Sequence, residues 1–251
     1  MLVNPDAGLG GRLGLKGSDG KAELARSMGA EDRSGPRMTA TLTHFDSIHR
    51  MGFDDLHWVT SEGRMGTDWF PEDANIGALS TVHSSKGETT ATHTKEAVAA
   101  MLEAGIDLLL YAGGDGTTRD IVEALEANGR PELPVIGMPT GVKMHSGCFA
   151  SSPKAAAEVL SAWLNGDLLV ASTEVLDLDE ERYRQGDWVI RMYAEAMTPS
   201  SPRWMQGAKQ LIEAAGEEEI LEGLSDHIRD VMITEDRLII WGSGGTLRAI
   251  G

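Results

Sequence analysis

The chain has 251 residues, enough for one large domain or two smaller ones, and its 41% hydrophobic content supplies a core. Its formal charge of −17, from 39 acidic against 22 basic side chains, argues against unspecific attraction to nucleic acid or to an anionic membrane, so an anionic ligand has to be met by local cations. Cys148 is the single cysteine, which excludes an intrachain disulfide; with no leader-like segment or long apolar run visible, the cytoplasm is the expected compartment.

In chain order, Met1-Leu2-Val3 is apolar but shorter than a typical strand, and it runs into a glycine-rich loop over 4–20. Helical composition covers 21–28 and 36–51, the second segment opening on Gly35-Pro36, and 56–59 reads as a short strand. The spacing of apolar residues predicts a helix over 94–104, with Thr94 as its cap and Gly105 as its stop, feeding a strand over 106–111. A glycine turn then leads into a helical segment, 119–125, and a further strand, 134–138. This alternation predicts an α/β domain over 1–150 with a doubly wound, mostly parallel sheet and ligands at the carboxyl ends of its strands. After a helix over 153–164 the composition changes: strands are expected over 168–178, 187–194 and 238–241 and a helix over 217–232, giving a second, sheet-rich domain over 151–251.

The chemistry concentrates on Tyr111-Ala112-Gly113-Gly114-Asp115-Gly116-Thr117-Thr118, where a strand turns into a helix. Gly113, Gly114 and Gly116 let backbone approach a ligand closely, the helix start offers N–H groups to phosphate oxygens, and Asp115 can anchor a metal or accept a hydroxyl proton. Read alone, the same string is also an ordinary strand-to-helix turn with an exposed Asp. Thr117 suits either a helix cap or a phosphate contact. The loop over 4–20 interleaves Gly8, Gly10, Gly11, Gly14, Gly17 and Gly20 with Arg12 and Lys16, a composition that fits a phosphate cradle or a plain linker. His44, His49, His57, His83 and His93 have no regular zinc spacing and are expected on solvated surfaces.

Three motifs in order, Asn4-Pro5-Asp6-Ala7-Gly8-Leu9-Gly10-Gly11 with its continuation to Gly20, Gly113-Gly114-Asp115-Gly116-Thr117, and Pro139-Thr140-Gly141-Val142-Lys143-Met144-His145-Ser146, resemble the ATP-NAD kinase-like family of the NAD kinase and diacylglycerol kinase superfamily, in its predicted polyphosphate/ATP-NAD kinase branch. The resemblance implies phosphoryl transfer from ATP or polyphosphate, with Mg²⁺, to a hydroxyl, the 2′-hydroxyl of the adenosine ribose of NAD being the implied acceptor. It makes Asp115 the catalytic base or metal ligand. It also implies that Asn4, Gly8, Gly10, Gly11, Lys16, Gly17, Asp19, Gly113, Gly114, Gly116, Thr117, Thr140, Gly141, Lys143, His145 and Ser146 line the nucleotide and phosphate site.

Asp177 and Asp179, in an Asp-x-Asp-Glu string, match the family as contacts to a substrate hydroxyl or Mg²⁺, and also read as a solvated turn. Two positions depart from the pattern: Thr140 stands where many relatives carry a small apolar residue, and His93 where they commonly carry Asp. Relatives extend further at both ends, so the expectation is that this chain is an incomplete active unit whose partial second domain would close the acceptor side. A homo-oligomer with small-molecule nucleotide substrates is expected, with no nucleic-acid or membrane partner. Two other readings stay open: a kinase for another small hydroxylated metabolite, since a fold does not fix the acceptor, and a non-catalytic nucleotide-binding regulator.

Overall fold

In the computed structural model, residues 1–9, 22–49, 52–85, 89–140, 144–178 and 190–200 are described, and all of them belong to the compact unit Met1–Lys209. The parallel sheet has β4 (Leu109–Gly113) at its centre, flanked by β1 (Leu2–Val3) and β5 (Val135–Pro139). Short as it is, β1 pairs in register with Tyr111 and Ala112. Beyond it lies a second parallel pair, β2 (His57–Ser61) and β3 (Ala78–His83), joined to β1 where Met1 N donates to Val59 O at 2.6 Å and Thr60 Oγ1 donates to Met1 O at 2.8 Å. The two sheets are thus β1-β4-β5 and β2-β3, with Met1 as the link between them.

β4 explains why the sheet is wound on both faces. Its sequence Leu-Leu-Tyr-Ala-Gly is buried throughout, the continuous apolar run of a strand covered on each side. Leu109 and Tyr111 pack with α3 (Ala91–Glu103) and α4 (Asp115–Ala127), whereas Leu110 and Ala112 pack with α2 (Ser34–Ile48) and α5 (Pro153–Leu164). The Tyr111 hydroxyl, inside the first of these layers, is satisfied by Thr118 Oγ1 at 2.5 Å and Cys148 Sγ at 3.3 Å. Burial raises the pKa of this phenol well above its usual value and pushes the Cys148 thiol up to about 11, so both stay neutral packing groups. A short helix, α1 (Ala22–Ser27), precedes α2, and an antiparallel hairpin, β6 (Val170–Leu178) and β7 (Ile190–Pro199), packs against α4.

The alternation of strands and helices is as expected, with local differences. α3 begins at Ala91 and not at Thr94: Thr90 is its cap, and His93 Nδ1 accepts the Thr90 N–H at 3.1 Å in a capping box. Thr94 is a buried inner-face residue whose own N–H already bonds Thr90 O at 3.2 Å. β3 had no counterpart in the sequence reading, because its side chains are exposed or half-buried and carry no clean alternation. His49 is not a surface histidine; it is buried, stacks on Phe45 with ring centroids 4.9 Å apart, and lies 3.0 Å through Nδ1 from Ser161 Oγ. The helix expected over 217–232 and the strand over 238–241 lie outside the described residues, as does most of the expected second domain.

Candidate active site

The carboxyl ends of β1, β4 and β5 lie side by side, and the segments that leave them build one site. β4 ends at Gly113, Gly114 caps α4 in extended backbone, and Asp115 is the first helical residue. The cap is thus a backbone position, and of the two readings of Thr117 the helix cap does not hold: Thr117 Oγ1 accepts from Asn4 Nδ2 at 2.8 Å. Gly113 is required where it stands, since a Cβ there would lie 2.5 Å from Thr117 Cβ. The N–H of Thr118 bonds Gly114 O at 3.0 Å, so the first-turn N–H groups ahead of it are the ones an anion can meet.

Asp115 is 9% exposed and reaches across to the segment after β5. Its Oδ2 accepts the His145 N–H at 2.9 Å; its Oδ1 accepts the Ser146 N–H at 3.0 Å and the Ser146 hydroxyl at 2.6 Å. Ser146 Oγ also lies 3.1 Å from Leu176 O and accepts the Leu176 N–H at 3.0 Å, which ties the site to β6. A carboxylate has about four lone-pair directions. Three are occupied among the described residues, which leave one, on Oδ2, for a substrate proton or a cation.

β1 leads directly into the Asn4 turn. Asn4 N donates to Ala112 O at 2.9 Å, and Asn4 Oδ1 accepts the Asp6 N–H at 3.1 Å, a side-chain-closed turn that aims the following backbone across β4. Gly8 has φ +84°, and a Cβ on it would meet Thr140 O at 2.5 Å, so both the left-handed backbone and the close approach exclude a side chain. Thr140 Oγ1 donates to Gly113 O at 2.9 Å, locking this contact to β4. The Thr140 hydroxyl therefore has a structural partner.

Of the residues named from sequence, the structure brings together Asn4, Gly8, Gly113, Gly114, Asp115, Gly116, Thr117, Thr140, His145 and Ser146. Gly10, Gly11, Arg12, Lys16, Gly17, Asp19, Gly141, Lys143 and Asp179 lie outside the described residues. Asp177 is in β6, its backbone paired with Arg191 of β7. Among the described residues no group of three His, Cys, Asp or Glu side chains could hold a metal ion.

Several residues at this end of the sheet were not singled out from sequence. Asp6 receives Arg26 at 2.5 Å and the Thr89 hydroxyl at 3.0 Å, and Asp32 receives Arg64 at 2.7 and 2.8 Å. Arg37 Nε donates to Pro139 O at 2.7 Å, at the end of β5. Arg33 and Arg37, with Gly8, line a cavity of about 470 Å³. The signal was legible in principle: two arginines four residues apart at a helix start oppose both each other and the helix dipole.

A parallel, doubly wound sheet whose carboxyl edge carries a glycine turn, a buried carboxylate and a helix N-terminus is an α/β phosphate-binding architecture. Residues 59–168 match the family model described as the ATP-NAD kinase N-terminal domain, a likeness that supports the NAD kinase-like family. The match spans β2 through α5 and contains Asp115, Thr140, His145 and Ser146; the Asn4 turn precedes it. It supports a kinase, a nucleotide-binding transferase. No curated protein and no solved structure matches the chain. No helix among the described residues is long and apolar enough to cross a membrane.

Proposed function

We propose that this chain is a phosphotransferase that carries a phosphoryl group from ATP or polyphosphate to the 2′-hydroxyl of the adenosine ribose of NAD, giving NADP. The observation that carries the reading is Asp115: a buried carboxylate on the glycine turn at the end of β4, anchored among the described residues through three contacts and open at one. In the step we propose, the acceptor oxygen forms a bond to phosphorus as the bond from phosphorus to the donor's bridging oxygen breaks. The acceptor proton passes to Asp115 Oδ2 and on to solvent, while the first-turn N–H groups of α4 meet the transferring phosphoryl oxygens. The N–H groups that fix Asp115 keep its free direction constant, and such positioning is most of what phosphoryl transfer asks of a protein.

Mg²⁺ fits this donor set as an ion held by one carboxylate together with substrate phosphates and water, and it would neutralise charge on the donor. Asp115 has one free direction, so it serves either as the base or as the metal ligand. The acceptor assignment to NAD rests on the family, as does the nucleotide donor. We assign the protein small-molecule nucleotide partners and a homo-oligomeric, cytoplasmic form, the oligomer to be checked by size-exclusion chromatography.

A second reading has an observation of its own. The same three contacts to His145 and Ser146 would be present if Asp115 were only a staple between two loops, in a nucleotide-binding protein without catalysis. A third keeps the chemistry and changes the acceptor to another small hydroxylated metabolite. One assay separates them: the purified chain with ATP or tripolyphosphate and Mg²⁺ against NAD, sugars and nucleosides, with products read by mass spectrometry. NADP formation supports the first reading, another phosphorylated product the third, and nucleotide binding without any product the second.

A further inference from the structure

The cavity beside Gly8 contains a charge arrangement that folding alone does not favour. Arg33 is the residue before α2 and Arg37 lies in the helix's first turn, which carries no acidic side chain and no side-chain cap. Cations at a helix N-terminus face the positive end of its dipole, and like charges four residues apart repel; each effect costs a few tenths of a kcal/mol or more, about 0.3–1 for the dipole. Among the described residues neither arginine has an ion-pair partner. Burial, and after it the neighbouring Arg33, lowers the pKa of Arg37 from its usual value. The acids at the rim do not offset this pair: Asp32 already holds Arg64 through both oxygens and Arg26 at 3.4 Å, and Glu31 is exposed. A half-buried pair of uncompensated guanidiniums is stabilised once an anion lies between them.

Position and lining narrow the anion. Arg37 is held at the carboxyl end of β5 through Pro139 O, and Gly8, which also lines the cavity, is the residue packed against Thr140 O. The cavity thus adjoins the edge of the sheet that carries Asp115. Its volume of about 470 Å³ is that of a small-ligand site, and its described lining combines charged residues with glycine, alanine, Leu9 and Pro36, with no aromatic side chain on which a base could stack.

We propose that Arg33 and Arg37, with the Gly8 turn, form the subsite for the condensed-phosphate chain of the phosphoryl donor. This rests on the phosphotransferase reading and adds to it the residues that grip the donor and the part of the donor they recognise. The chain of phosphates has two sources, inorganic polyphosphate or the tail of a nucleotide, and both present the same oxygens to a guanidinium.

The test is calorimetric titration of the whole chain with inorganic tripolyphosphate, ATP and adenosine, for the parent and for Arg33→Gln, Arg37→Gln and Arg37→Lys. Loss of one charge-assisted contact is expected to weaken tripolyphosphate and ATP in parallel, by about tenfold or more for each Gln variant, with Arg37→Lys between Arg37→Gln and the parent. Arg37 also holds Pro139 O, so Arg33→Gln, which removes no described hydrogen bond, decides the matter if Arg37→Gln misfolds. A parent that does not bind tripolyphosphate, an Arg33→Gln variant that binds it as the parent does, or a loss confined to ATP would each overturn the proposal. Transfer is measured separately: arginine-dependent tripolyphosphate binding without any transfer keeps this subsite and sinks the kinase reading, whereas transfer with indifferent arginines does the reverse.

Discussion

Replacing Asp115 by Asn tests two roles in one substitution, because the structure gives this carboxylate both a proton-accepting direction and three contacts to hold. The amide keeps one acceptor oxygen. Placed at Oδ1, it retains the Ser146 N–H and hydroxyl, and the new NH₂ then faces the His145 N–H, which now sits 2.9 Å from Oδ2. Two donors cannot bond, so one hydrogen bond to a charged acceptor is lost and a mostly buried donor is left opposed; that costs about 1.5–3 kcal/mol. In a unit of this size each kcal/mol lowers Tm by about 2–4 °C, so a fall of about 3–12 °C is expected. Turnover is expected to fall further than stability, by about two to four decades, because a positioned base contributes roughly that much.

Ser146→Ala separates the two effects. It removes the hydroxyl bond to Oδ1 and the tie to Leu176 while leaving the carboxylate charged, with both loop N–H contacts intact. Its destabilisation is expected to be about 1–3 kcal/mol, with turnover at saturating substrate kept within about tenfold of the parent. Thermal melts and initial rates under the same buffer decide the matter. If Asp115→Asn turns over like the parent, Asp115 is not the base; if its Tm is also unchanged, the loop contacts drawn from the structure are wrong as well. Equal loss of turnover in both variants would mean that Asp115 acts by holding the loop and not by taking a proton.

Gly8→Ala forces an alanine into left-handed backbone, about 1–2 kcal/mol, and drives its Cβ toward Thr140 O, so denaturant unfolding is expected to show a loss of at least that size; stability equal to the parent's would refute the Gly8 contact with Thr140. The pH dependence of stability is set on the acid side of neutrality by His49 and His83, both lowered below their usual value of 6.5 by burial. The folded state then binds fewer protons than the unfolded one below that pH, so stability is fully present above about pH 6.5 and declines as pH falls, by up to about 1.4 kcal/mol per pH unit for each group. Melts between pH 7.5 and 5 are expected to show a shallower decline for His49→Gln than for the parent, and identical slopes would remove His49 from the account.

What was legible in the sequence was local. The apolar run of β4, the glycine turn, the helix after it and Ser152-Pro153 at the head of α5 each declare themselves within one or two turns of chain, because periodicity and backbone freedom act over that distance. They located Asp115 on its strand–turn–helix and brought the right edge of the sheet into view. The failures are also physical. His93 replaces the usual Glu or Gln of a capping box, so nothing in the local pattern marks the cap at Thr90 and the spacing points to Thr94 instead. β3 carries no buried face to produce an alternation, and His49 is buried by partners on α5 that no spacing along α2 reveals.

The site itself is a set of distant agreements: Asn4 with Thr117, Gly8 with Thr140, Arg37 with Pro139, Asp115 with Ser146. Each partner lies on a segment leaving a different strand of one parallel sheet. Parallel pairing places those segments at the same edge however far apart they stand in the chain, which is why the fold class, once read, says where the chemistry is before it says which atoms touch. Arg33 and Arg37 show the one route by which sequence could have gone further. Like charges at the wrong end of a helix are a local conflict, and a local conflict that the described neighbours leave uncompensated marks a position where an anion would be stabilising.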